Sequence, residues 1–134
     1  MCSFIYNHFQ YNDKNPYIVE DDETLRKILK DKLTQEGFSV LTAKDGEEGL
    51  KASFKSNPDL ILLDIVMPKM DGVDMLKKLR EDGWGSKVPV LLLTNDSNPE
   101  HIKETLKADA TDYLVKSDWK LEDVIKKIKE TLKL

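Results

Sequence analysis

The chain has 134 residues, with 21 Lys and Arg against 25 Asp and Glu for a formal net charge of −4, and 40% hydrophobic content. That length suits one domain around one core, and that composition a folded soluble protein rather than a disordered one. The acidic balance disfavours nucleic acid as a direct partner, no apolar run reaches membrane-span length, and the single cysteine, Cys2, leaves no internal disulfide.

Residues 1–15 mix Phe4, Tyr6, Phe9 and Tyr11 with Asn, His and Gln in no period, and predict an irregular N-terminal tail. They lack the basic start and apolar run of a signal peptide, so a cytoplasmic protein is expected. Pro16 to Val19 predicts a first strand, with Pro16 at its start because proline cannot donate to a ladder. Glu20-Asp21-Asp22 follow, and Asp22 caps a helix from about Glu23. Its inner face is Leu25, Ile28, Leu29 and Leu33, and Gly37 closes it. Phe38 to Ala43 is the second strand and Asp45-Gly46 a turn. Glu47 to Lys55 is the second helix, ended by Asn57-Pro58. Leu60 to Asp64 is an apolar run ending in an acid, the pattern of a strand covered on both faces. Met70-Asp71-Gly72 turns into a third helix, Val73 to Glu81, with Val73, Leu76 and Leu79 inward, and Gly83 to Ser86 is a loose loop. Val88 to Thr94 is the fourth strand. Asn98-Pro99 starts a helix with Ile102, Leu106 and Ala110 inside. Asp112 to Lys116 is the fifth strand. A last helix runs from about Lys120, striped by Leu121, Val124, Ile125, Ile128 and Leu132.

Strands alternating with helices predict βαβ units, hence a parallel sheet with helices on both faces and right-handed crossovers. The chain ends with the last helix, so residues 16–134 are expected to be its one folded domain.

In such a sheet the carboxyl ends of all strands share one edge, where ligands bind. Asp64 alone reads equally as a turn-capping residue or as a site. In company it joins Glu20, Asp21 and Asp22 after the first strand, Thr94 at the end of the fourth and Lys116 at the end of the fifth. Crowded carboxylates raise one another's pKa unless a cation shares them, and hard oxygen ligands suit Mg²⁺. A carboxylate can accept a phosphoryl group, with Mg²⁺, Lys116 and Thr94 offsetting its charge. The GxxxxGK[ST] and GxGxxG patterns are absent, which leaves nucleotide binding without support. His8 and His101 are isolated and form no zinc site.

Five segments together resemble one family, the receiver domains of two-component response regulators: Ile18 to Asp22, Ala43 to Leu50, Pro58 to Gly72, Pro89 to Thr94 and Asp112 to Lys116. The resemblance covers about residues 17–133, at normal spacing, and points to a single-domain, chemotaxis-regulator-like member. It implies a flavodoxin-like three-layer α/β/α fold with five parallel strands in the order 2-1-3-4-5 and five helices. It implies Asp64 as the acceptor of a phosphoryl group from the phosphohistidine of a histidine kinase or phosphotransfer protein. Asp21, Asp64 and the backbone carbonyl of Val66 look like Mg²⁺ ligands, with Glu20 as the second acid of the pair, directly or through water. Lys116 looks like the phosphate-contacting lysine, Thr94 the switch hydroxyl and Tyr113 the rotating aromatic. The implied output is a downstream protein bound at the face of the fourth helix, fifth strand and fifth helix, by a monomer or a phosphorylation-linked dimer. The implied protein is a signalling module without membrane or direct nucleic-acid contact, not an enzyme.

Three positions depart from the family pattern. Ser117 stands where a proline after the lysine is usual, so a trans bond is expected. Asn95 follows Thr94 where a small residue is usual. Pro16-Tyr17 replaces an aliphatic start, which predicts a short first strand and a weaker core. Two rivals remain. A haloacid-dehalogenase-type phosphatase also uses an aspartyl nucleophile, but it needs an acid two residues on, where Val66 stands. An interaction module without phosphorylation is the other, although every matched acid, Thr94 and Lys116 are present.

Overall fold

The computed structural model describes residues 13–67, 69–95, 98–107 and 110–134. The tail expected over residues 1–15, with Cys2 and His8, lies outside the described residues up to position 12, as does Pro68; the side chain of His101 is outside them too.

The apolar runs form five parallel strands: β1 (Pro16–Val19), β2 (Leu41–Ala43), β3 (Leu60–Leu63), β4 (Val90–Thr94) and β5 (Asp112–Val115). Helices α1 (Glu23–Gln35), α2 (Gly46–Ser56), α3 (Gly72–Arg80) and α4 (Pro99–Lys107) connect them in turn, and α5 (Leu121–Thr131) follows a 3-10 turn at Lys116–Asp118. The strand order is β2-β1-β3-β4-β5, the flavodoxin-like arrangement.

Successive strand residues face opposite sides. Tyr17, Val19, Ile61, Leu63, Val90 and Leu92 therefore pack with Met75, Leu76 and Leu79 of α3. Ile18, Leu60, Leu62, Leu91 and Leu93 pack with Leu29 and Leu33 of α1 and Val124, Ile125 and Ile128 of α5. Helix starts are set by aspartates that accept backbone N–H groups: Asp22 from Leu25 (3.1 Å), Asp45 from Glu48 (2.8 Å) and Asp71 from Asp74 (2.9 Å). Gly37, at φ 101°, and Asn57, at φ 47°, take the left-handed conformation past the ends of α1 and α2.

Several sequence expectations need correction. The second strand starts at Leu41 rather than Phe38, because Phe38 N–H donates to Leu33 O and Ser39 N–H to Lys14 O, away from the ladder. The fourth starts at Val90 rather than Val88: Pro89 has no N–H, and Val90 N–H goes to the Thr111 hydroxyl at 3.0 Å. Asp64 and Lys116 lie one residue past their strands. Ile28 and Leu106 are 46% and 47% exposed rather than inward. Ile28 stands on the flank of α1 beside Leu29, and α4 lays its apolar stripe at the core's boundary, where Ile102 is only half-buried.

The Gly83–Ser86 loop is tied down rather than loose. Arg80 Nη1 donates to Gly85 O (2.6 Å) and Val88 O (2.7 Å), and Trp84 N–H donates to Asp82 Oδ1 (2.9 Å). Trp84 packs on the core and meets Phe54 edge-on, with centroids 6.3 Å apart.

The first strand is short, at four residues, but its unusual start does not open the core. Tyr17 is buried, and its phenol pKa is pushed up to about 12, chiefly by that burial and then by Glu48 and Asp45. The Lys116–Ser117 bond is trans, as expected from Ser117; no peptide bond among the described residues is cis.

Candidate functional site

Strand register decides which groups meet. Val19 pairs with Leu63 across β1 and β3, so Glu20 and Asp64 stand side by side one step beyond. Thr94 pairs with Val115 across β4 and β5, so Lys116 is the next residue at the same edge. The side chains of Glu20, Asp21, Asp22, Asp64, Val66, Thr94, Asn95 and Lys116 line one open depression of about 600 Å³. Every sequence-predicted acid, Thr94, Val66 and Lys116 therefore stand together. Tyr113 does not line the depression. It pairs with Leu92, which puts it on the sheet face shared by Leu92 and Thr94, half-buried against the core.

Glu20, Asp21 and Asp64 each place a carboxylate oxygen within 4.8 Å of the others. Glu20 and Asp64 are buried and Asp21 is exposed. Lys116 Nζ lies 2.7 Å from Glu20 Oε1 and 3.4 Å from Asp64 Oδ2, so it holds Glu20 more closely than Asp64. Burial pushes the Glu20 carboxyl up from 4.5 to about 7; the Asp64 charge adds to this and the Lys116 bond opposes it. Burial raises Asp64 as well, against the pull of Lys116. For Lys116, burial works against the charged amine, but the bond to Glu20 and the charge of Asp64 outweigh it and raise its pKa. Two buried acids whose charged forms burial disfavours, beside an exposed third, make a hard-oxygen donor set whose crowded charge a divalent cation would offset, in an open depression with room for waters and phosphate oxygens.

The loop after Asp64 is held by close backbone contact. Gly72 N–H donates to Ile65 O at 2.7 Å. A Cβ at Gly72 would fall 2.2 Å from the Asp64 carbonyl oxygen, so only glycine fits there. Lys69 turns through φ 67° and its amine lies 3.8 Å from Asp45 Oδ2, tying the loop to the start of α2. Val66 is 70% exposed at the rim.

Sequence reasoning missed two neighbours. Arg26 Nη1 donates to Glu20 O (2.8 Å) and lies 3.5 Å from Asp21 O. The signal was available, since Arg26 is the one arginine of α1 and stands a turn downstream of the acids. Trp119 and the exposed Ile28 line an apolar groove of about 140 Å³ with Leu25, Leu29 and Leu121, and Lys116 forms part of its wall too. Ile28 looked inward by periodicity alone, which hid that groove.

Comparison with known proteins bears on this arrangement. A family model described as the response regulator receiver domain matches residues 17–129. The transcriptional regulatory protein PhoP of alkaline phosphatase synthesis from Bacillus subtilis is 36% identical over 104 residues, covering 78% of this chain and 42% of its own. The transcriptional regulatory protein AfsQ1 of Streptomyces coelicolor is 36% identical over 99 residues, covering 74% of this chain and 43% of its own. The chain thus spans about two-fifths of the length of such curated relatives. The solved chemotaxis protein CheY4 of Vibrio cholerae superposes with a TM-score of 0.82 at 31% identity, covering 87% of this chain and 97% of that one. The phosphorylated cyanobacterial phytochrome response regulator RcpA gives 0.77 at 28% identity, covering 87% and 91%. No helix among the described residues is long and apolar enough to cross a membrane.

Proposed function

Since the chain belongs to the response regulator receiver domain family, we propose that its residues 16–134 receive a phosphoryl group on Asp64 from a phosphohistidine and convert it into a changed protein-binding face. The observation that carries this reading is the set of three carboxylates and one lysine gathered at the sheet's carboxyl edge. In the transfer, an Asp64 carboxylate oxygen attacks phosphorus, the donor's N–P bond breaks, an O–P bond forms, and the N–P electron pair stays on the imidazole. Glu20, Asp21, Asp64 and the Val66 carbonyl are the groups that would hold Mg²⁺, which when bound supplies charge neutralisation at the phosphoryl oxygens.

The chain's own groups do the rest. Lys116 already sits between Glu20 and Asp64, so a small move of its amine meets the incoming phosphoryl charge. Thr94, on the same rim, offers its hydroxyl to a phosphoryl oxygen, and Tyr113 on the same sheet face fills the space that Thr94 leaves. The two rearrangements bias the face of α4, β5 and α5 toward its partner-binding form, a shift of population driven by contacts made in one state only. Val66 cannot act as acid or base two residues after Asp64, which argues against turnover of small phosphate esters.

The upstream partner is a histidine kinase or phosphotransfer protein, the compartment is the cytoplasm, and the downstream partner is a protein. The transcriptional roles named for PhoP and AfsQ1 are those proteins' own.

Incubation with acetyl phosphate and Mg²⁺, followed by intact mass measurement, tests the reading. One phosphoryl adduct is expected in the parent and none in Asp64→Asn. No adduct in the parent, or steady phosphate release from unrelated monoesters, would overturn it.

A further inference from the structure

We infer that Arg26 is a positioning residue for the cation site, fixing the backbone of Glu20 and Asp21 so that their carboxylates can share one divalent cation with Asp64; this rests on the reading of the site given above. The acids occupy a three-residue link between β1 and α1. Its flanks are knit by short-range bonds. Glu20 N–H donates to Ala43 O (3.1 Å), Asp22 N–H to Glu20 Oε2 (3.1 Å), Leu25 N–H to Asp22 Oδ1 (3.1 Å), and Arg26 N–H to Asp22 O (2.9 Å). The Arg26 guanidinium closes the arrangement through the carbonyls of Glu20 and Asp21. Asp21 is the exposed member of the acid cluster, where side-chain packing does least to hold it.

One guanidinium nitrogen, Nη1, serves both carbonyls, closely for Glu20 (2.8 Å) and at the limit for Asp21 (3.5 Å), and the planar group aims that donor more rigidly than an ammonium on a flexible stem would. A carbonyl fixed in place fixes the adjoining peptide planes, and these set the direction in which each acid's Cβ leaves the chain. Outer partners of this kind orient metal ligands without touching the metal.

The sign of the effect separates positioning from charge. A guanidinium this close to the acids repels a divalent cation, so if Arg26 acted through charge alone its removal would tighten Mg²⁺ binding. If Arg26 positions the acids, its removal weakens binding despite the lost repulsion. A merely structural role would lower the melting temperature and leave the affinity unmoved.

The test is calorimetric titration of MgCl₂ into the full chain, its Arg26→Met variant and its Arg26→Lys variant, with melting temperatures measured alongside. Arg26→Met is expected to bind Mg²⁺ about tenfold more weakly, the lower end of what outer-shell partners contribute. Arg26→Lys, which keeps the charge and loses the rigidly aimed Nη1 donor, should fall between it and the parent. Equal or tighter binding in Arg26→Met, beside normal binding in the parent, overturns the role of Arg26 alone. Should Arg26→Met not fold, Arg26→Lys decides: weaker binding supports positioning and parental affinity overturns it. A parent chain that binds no Mg²⁺ overturns the reading of the site itself, and this inference with it.

Discussion

Glu20 should make the metal-free protein less stable as pH rises through neutrality. The residue is 2% exposed, and its carboxyl stands at about 7 instead of 4.5. Between those two values the folded chain binds more protons than the unfolded one, so stability falls with rising pH. The contribution is complete below 4.5 and lost above about 7. At roughly 1.4 kcal/mol per pH unit, the gap sets a ceiling of about 3 kcal/mol. Asp64 is raised in the same direction and steepens the parent's slope. In Glu20→Gln the amide carries no charge to desolvate, and Lys116 is free to serve Asp64 alone. The assay is urea unfolding in chelator from about pH 5 to about pH 8, where the parent should lose about 2–3 kcal/mol and Glu20→Gln much less. Saturating Mg²⁺ should flatten the parent's profile, because the cation takes over the compensation of the buried charge. A flat profile in the metal-free parent, or an unchanged slope in Glu20→Gln, would refute the reasoning.

Two further outcomes are expected. Gly72→Ala puts a methyl 2.2 Å from the Asp64 carbonyl oxygen, a backbone atom that cannot swing aside. It should cost about 3 kcal/mol, the upper end of overpacking losses, and slow phosphorylation by acetyl phosphate; a loss under about 0.5 kcal/mol in urea unfolding would count against the tight fit. Asn95 sits exposed on the rim beside Thr94; with a phosphoryl group on Asp64, as proposed above, its amide would narrow the approach of water. Asn95→Ala should shorten the acyl-phosphate lifetime severalfold, read by the decay of the mass adduct, and an unchanged lifetime would sink the idea.

What sequence alone disclosed depended on the range of the forces involved. Caps at Asp22, Asp45 and Asp71 act within three residues, and buried strands such as Leu60–Leu63 carry their signal in consecutive letters. Both were legible. So was the gathering of Glu20, Asp21, Asp64, Thr94 and Lys116, because parallel topology alone sends strand ends to one edge. The choice Lys116 makes between two carboxylates was not legible, since it turns on less than 1 Å across residues far apart in sequence. Ile28 and Leu106 misled for a related reason: helical period gives a face, but the neighbouring elements decide how far that face is covered. The edge strand β2 came out shorter than its apolar pattern because Phe38 and Ser39 spend their N–H groups on the end of α1 and on Lys14. The Gly83–Ser86 loop looked slack because glycine count is a local cue, while the arginine that pins it comes from α3.

The seat of Trp119 has an optical consequence. The chain has two indoles, and they occupy unlike places. Trp84 packs on the core beside Phe54, outside the lining of the acid depression, while Trp119 is 37% exposed in the groove that Lys116 helps to wall. If the Lys116 amine moves toward a phosphoryl group, as proposed above, a side chain that lines the Trp119 groove shifts, while Trp84 lines neither that groove nor the acid depression. In a Trp84→Phe background the emission of Trp119 is then expected to change when the acid rim is loaded, giving an unlabelled, real-time readout, while Trp84 in a Trp119→Phe background should report the integrity of the core.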